Sequence, residues 1–290
     1  TQHHSAILLI VRRTLPGNVI GPASSGTGNI GFDGINVTSA IGPTISGNTV
    51  RNISATAVNA GAIVLSSVPG ATVTQNTITG VSSSNASSGN ASIAGLVLGS
   101  NVTDATVTRN SITTVTNTNT TTNNGARGIL VNTNNAASNL LIANNVVSDV
   151  SCYQGAAAGN WPLGIDLEGS SGGIRLYGNS VNLFGPHAGL SGGVAAAALY
   201  VAASVTNVDA RDNIFSNSYD NSGSTTEKCY AVYSAAPNTA YADINYNDYY
   251  VSGAGTPVLG FLGADQTALA AWRTATGKDV NSIAANPQFV

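Results

Sequence analysis

Gly47-Asn48-Thr49-Val50, Gln75-Asn76-Thr77-Ile78, Arg109-Asn110-Ser111-Ile112, Asn144-Asn145-Val146-Val147, Gly178-Asn179-Ser180-Val181, Asp212-Asn213-Ile214-Phe215 and Tyr246-Asn247-Asp248-Tyr249 are versions of one phrase. The Asn returns after 28, 34, 35, 34, 34 and 34 residues, and an apolar residue always follows at the second position. A further apolar residue stands three places later as Ile53, Val81, Val115, Val150 and Phe184.

A second phrase precedes each of these. It reads Gly34-Ile35-Asn36-Val37, Ala62-Ile63-Val64-Leu65, Gly95-Leu96-Val97-Leu98 and Gly128-Ile129-Leu130-Val131, then Gly164-Ile165-Asp166-Leu167, Ala198-Leu199-Tyr200-Val201 and Ala231-Val232-Tyr233-Ser234. The pieces are short, alternating and rich in β-branched residues, and Gly, Asn and Ser bound them. That is the pattern of strand and turn, with no room for helices. One such unit cannot bury its own apolar row. Stacked units can, with equivalent residues about 4.8 Å apart. The recurring Asn suits a bend between two strands. Its amide can donate to, and accept from, the same Asn one coil away, and Asn tolerates left-handed backbone.

The composition agrees. Charged residues make up 8% of 290 residues and the net charge is -3, so stacked identical positions do not repel. Ten cations are too few to neutralise a duplex, so nucleic acid is excluded as a partner. With 42% hydrophobic residues the chain is not of the disordered class. Ala6–Val11 is too short for a membrane span.

The two phrases resemble the right-handed parallel β-helix of the pectate-lyase-like superfold, over about Ile35 to Tyr250. The expected fold is all-β, a solenoid of about seven to eight coils over residues 1–250. Residues 251–290 are expected to form a capping segment with one short helix. Asp265 is the expected N-cap, Leu269 and Trp272 share a face, and Gly277 is the stop. The tail from Trp272 to Val290 resembles that of secreted bacterial β-helix repeat proteins. The leucine-rich repeat is excluded, because its pattern and shorter period are absent. The structural ladder is expected at Asn48, Asn76, Asn110, Asn145, Asn179, Asn213 and Asn247.

The resemblance says little about function, because the superfold hosts lyases, hydrolases, tailspikes, adhesins and ice binders. Asp166 and Glu168 alternate with Ile165 and Leu167, so both are expected to point outward as a solvated pair. Two such carboxylates suit acid/base chemistry or calcium. Trp161, Tyr200, Arg175 and His187 fall in the same or neighbouring coils, so Trp161, Asp166, Glu168 and Tyr200 form the candidate ligand site. Pectate lyases use several acidic calcium ligands and polygalacturonases three Asp. Here the adjacent coils offer Leu130, Asn132, Tyr200 and Ala202. No catalytic residue is therefore carried over, no metal site is assigned, and no cofactor is expected beyond calcium at the carboxylate pair.

Val64, Val97, Leu130, Tyr200 and Tyr233 form an apolar outward column that calls for cover. Asp209, Arg211 and Asp212 form a second cluster, in which Arg175 and Asp209 are expected to pair. Thr72-Val73-Thr74 and Thr106-Val107-Thr108 match between coils, as in ice-binding solenoids. Cys152 and Cys229 form a disulfide candidate, with two buried free thiols as the alternative.

The reading that these features favour is a non-catalytic structural or adhesive module of a larger secreted or cell-surface bacterial protein. Its partners would be neighbouring modules, a polysaccharide or a surface protein. A polysaccharide lyase or glycoside hydrolase is the alternative, and an ice-binding protein the third.

Overall fold

The computed structural model describes residues 14–26, 28–55, 60–85, 93–122, 124–153, 160–186, 195–220, 227–253 and 256–289. His187 and most of the long loops expected at 82–92, 117–126, 151–162, 185–193 and 216–228 lie wholly or partly outside them. The described residues form a parallel β-helix with three sheets. Sheet 1 holds the Gly-Ile strands, from Ile35–Thr38 to Thr256–Leu262. Sheet 2 holds shorter strands, from Thr14–Pro16 to Tyr241–Asn245, and sheet 3 runs from Val19–Ile20 to Asp248–Val251. Seven complete triplets of strands follow one another, separated by six coil-to-coil steps. This is the all-β solenoid that the repeat predicts, and it is consistent with the pectate-lyase-like superfold. Parallel pairing runs past Tyr250, because Thr256–Leu262 adds to Lys228–Ser234.

The interior consists of in-register aliphatic columns. Ile63, Leu96, Ile129, Ile165, Leu199 and Val232 stack in sheet 1. Ile78, Ile112, Val147, Val181 and Phe215 stack in sheet 3. All of them are fully buried. The small residue before each Ile faces inward at a crowded corner. A Cβ on Gly128 would lie 2.2 Å from Val147 Cγ1 and 2.6 Å from the Gly164 carbonyl oxygen.

The Asn ladder forms at all seven expected positions. In each rung the backbone N–H and the side-chain amide of one Asn donate to Oδ1 of the next, as from Asn110 to Asn145 at 3.0 and 2.9 Å. The amide also donates to a sheet 2 carbonyl of the preceding coil, Val73 for Asn110 and Val107 for Asn145. The ladder is longer than the seven-fold phrase. Asn18 donates to Asn48 at one end, and at the other the Asn247 N–H donates to Ser282 Oγ at 2.7 Å. The left-handed backbone is not at the Asn but one residue before it, as at Gly47, Gln75, Arg109, Asn144, Gly178, Asp212 and Tyr246, with φ of 55–62°. The Asn itself must keep its N–H aimed along the stack.

The C-terminal segment closes the stack. The helix is Leu269–Thr276, with Gly277 at φ 66° as its stop. Asp265 is not its cap. It lies in the strand Ala264–Gln266, folded back on sheet 1, where its carboxylate takes Lys228 Nζ at 2.5 Å and the Tyr230 hydroxyl at 3.0 Å. Ala268 stands at the N-cap without a side-chain bond. Trp272 is fully buried, and its Nε1 donates to Asp279 at 2.6 Å. Asp279 also accepts from Tyr249 and Ser282, which ties the cap to the last rung.

The disulfide does not form. Cys152 and Cys229 are free buried thiols on strands separated by two intervening coils. Each Sγ faces a carbonyl, of Asn160 and Tyr219 respectively. Burial pushes the Cys229 thiol up to about 12, so it stays protonated.

Replacing Asn145 by Ala removes the acceptor of two Asn110 donors inside the stack. At about 1–3 kcal/mol for each stranded group, Asn145→Ala should lose about 2–6 kcal/mol in urea unfolding. Asn18→Ala, at the first described rung, should lose about 1 kcal/mol. Equal losses at the two positions would contradict the ladder.

Candidate functional site on the outer face of sheet 1

The outward column of sheet 1 runs in register through Val64, Val97, Leu130, Asp166, Tyr200, Tyr233 and Phe261. The alternation places Asp166 outward, as the sequence predicts. Outward is not solvated here, because Leu130 and Tyr200 flank it one coil away on each side. Asp166 is fully buried and Glu168 is partly exposed. The expected solvated carboxylate pair is therefore corrected to a buried ion-pair cluster.

Its third member is Arg127, which donates through Nε to Asp166 Oδ2 and through Nη2 to Glu168 Oε1 at 3.3 Å. Arg127 stands immediately before Gly128-Ile129, where the other coils carry Ala94, Leu163 and Ala197. A lone cation in that otherwise apolar column was the signal available in the sequence. The guanidinium holds the position between the carboxylates that calcium would need. Asp166 Oδ1 accepts no hydrogen bond. Burial lifts the Asp166 carboxyl to about 8, Glu168 adds to the rise and Arg127 opposes it.

Trp161 and Tyr200 lie at the same face and join a second apolar cluster outside the coil, with Leu163, Tyr230, Val258 and the half-buried Tyr233 and Phe261. Tyr233 stacks on Phe261 at 4.4 Å and on Tyr200 at 5.7 Å, while Trp161 meets Tyr233 edge-on at 5.0 Å. In-register aromatics on neighbouring strands cover one another's faces and offer their edges outward. Trp161 and Tyr200 are each only 7% exposed. The aromatic groups that remain accessible are Tyr233 and Phe261, which the single-residue reading of Trp161 and Tyr200 did not select together. With Trp161, Ala195, Tyr230, Lys228 and Asp265 they line a hollow of about 310 Å³. Burial pushes the Tyr200 phenol up to about 12, so it is neutral at pH 7.

Other candidates lie elsewhere. Arg175 is on sheet 2 and donates to Asn139 at 3.0 Å, not to Asp209. Asp209 is taken by Arg211 and by the Tyr177 hydroxyl, both at 2.5 Å, and Arg211 lies over the Tyr177 ring. The threonine rank on sheet 2 begins earlier than the sequence indicates, as Thr14, Thr44, Thr72 and Thr106, and ends at Leu141. Among the described residues no group of three His, Cys, Asp or Glu side chains gathers as a metal site, and no helix is long and apolar enough to cross a membrane.

The chain matches no family model, no curated protein and no solved structure.

The raised Asp166 carboxyl fixes a sign. Between the ordinary value of 3.8 and about 8 the folded chain holds more of this proton than the unfolded chain does. Stability from this group is thus full below 3.8 and is lost as pH rises toward 8. Thermal melts from pH 4 to 8 should fall less steeply in Asp166→Asn than in the parent chain. Parallel slopes would contradict the assignment.

Proposed function

We propose that the chain is a non-catalytic adhesive β-helix module of a secreted or cell-surface protein, and that it holds carbohydrate on the outer face of sheet 1. The observation that carries this reading is the hollow in which Tyr233 and Phe261 present apolar edges beside the Lys228–Asp265 pair. A mostly apolar wall with a few fixed polar groups is the make-up of small-ligand sites. A sugar ring has the matching chemistry, with C–H faces for the rings and hydroxyls for the ammonium and the carboxylate. Calcium has no part in this proposal.

Geometry weighs against the hydrolase or lyase alternative. Two-carboxylate hydrolysis needs both groups beside the scissile bond. Asp166 is closed off beneath its neighbours and bound to Arg127, which leaves Glu168 as the accessible member of the pair. The threonine rank of sheet 2 is interrupted by Leu141, Arg175 and Asp209, and the Thr74 and Thr108 hydroxyls bond each other at 3.1 Å. Ice binding therefore ranks below adhesion.

The test joins a glycan array to a depolymerisation screen on acidic and neutral polysaccharides. The expected result is binding without new reducing ends or unsaturated products. Tyr233→Ala and Phe261→Ala should each weaken binding at least tenfold, on the order of 1.4 kcal/mol. Cleavage that disappears in Glu168→Gln would overturn the proposal in favour of an enzyme.

A further inference from the structure

The repeat places Phe184 with the buried residues Ile53, Val81, Val115 and Val150, yet Phe184 is 44% exposed. The cause is local. In the four earlier coils one residue inside the sheet 3 strand adopts left-handed backbone, namely Asn52, Gly80, Thr114 and Asp149 at φ 52–66°. That kink returns the next residue to the interior. The strand Ser180–Pro186 has no such residue before Phe184, since its one positive φ, at Gly185 (99°), comes after it, and the strand pairs without interruption with Ile214–Asp220. Inward and outward therefore alternate regularly. Leu183 fills the core and Phe184 turns outward.

Phe184 stands at one side of a groove of about 540 Å³ on the outer face of sheet 3. The floor crosses the strands Val146–Cys152, Ser180–Pro186, Ile214–Asp220 and Asp248–Val251, three steps or about 14 Å along the axis. It is built of Ser148, Ser180 and Asn182, with Tyr250 on the last strand. The C-terminal tail supplies the other wall through Phe289, which is 42% exposed. The tail is tied alongside, with Ile283 bridged to Asp248 and the Ala285 N–H donating to Asp248 Oδ1 at 2.9 Å.

Two features define the occupant. The groove is lined entirely by uncharged residues. Polyanions need cations to replace their counterions, and a lipid chain needs a continuous apolar floor. This floor is made of hydroxyls and an amide between exposed aromatic rings. Among the described residues the Ser148, Ser180 and Tyr250 hydroxyls have no protein partner, and the Asn182 amide nitrogen donates to none. We infer that the sheet 3 groove is a second, separate binding site, for an uncharged linear polysaccharide lying along the solenoid axis. The free donors take its hydroxyls, and Phe184, Tyr250 and Phe289 take its C–H faces. A peptide strand is a poorer fit, because three of the four sheet 3 strands beneath the groove pair on both sides and the last, Asp248–Val251, is bridged at its outer edge by Ile283.

Affinity electrophoresis of the chain tests this, in gels containing hydroxyethyl cellulose, glucomannan or polygalacturonate. Retardation is expected in at least one neutral gel, is unaffected by salt and is absent with polygalacturonate. The double variant Phe184→Ala/Phe289→Ala changes exposed side chains, so its melting temperature should match the parent. Its retardation in that neutral gel should fall at least tenfold. Retardation that survives the double variant, no retardation in either neutral gel, or salt-sensitive binding to polygalacturonate alone would each overturn the groove. Loss in Tyr233→Ala with none in the double variant would overturn it too, while leaving the sheet 1 site standing.

Discussion

The Asn ladder is the constraint on which the other features of the solenoid depend. Each buried amide is satisfied on both sides by another coil, so each rung requires the one above and the one below. The backbone at this bend cannot pair with its own coil, because the preceding residue has turned left-handed. The side-chain amide supplies the missing partner. With the bend held at a fixed height, sheet 2 and sheet 3 acquire their register, and the aliphatic columns stack without offset. The ends obey the same demand. Ser282 gives an acceptor to the last N–H, and the Tyr249 hydroxyl accepts from the Asn247 amide at 3.1 Å.

A fixed register also determines what gathers on the outside. Residues one coil apart are neighbours although they lie 34 or so positions apart in sequence. Arg127 thus meets Asp166, and Tyr233 meets Tyr200 and Phe261. The same rule explains why an ionisable side chain ends up buried on an outward face. A column of aromatic and aliphatic neighbours removes water from whatever stands within it, and one guanidinium then has to compensate two carboxylates. Sheet 3 illustrates the converse. Losing a single left-handed residue there moves a phenylalanine from the core to the surface and changes a regular face into one side of a groove.

The fold was legible because its signal repeats. The Asn, the apolar residue two places on and the small residue before Ile each occur many times, and each occurrence supports the others. Asn18 and Ser282 escaped because they stand at the two ends, outside the seven-fold phrase. Asn18 sits in the same Gly-Asn-apolar setting, and Ser282 follows Asn247 by 35 residues. The site was only partly legible. Alternation gave the direction of Asp166 but not its solvation, which depends on neighbours contributed by other coils. The cysteines looked like a pair because composition cannot count the coils between them. Asp265 looked like a helix cap because its nearer sequence neighbours are helical, whereas Lys228 and Tyr230 were invisible as competitors.

Amide hydrogen exchange across the chain tests the central claim most directly. If the ladder holds the stack, the backbone N–H groups of Asn76, Asn110, Asn145, Asn179 and Asn213 should exchange together and at the slowest rates in the protein, matching global unfolding. Exchange of the Asn145 amide at the rate of an exposed turn, with the strands beside it still protected, would contradict the account.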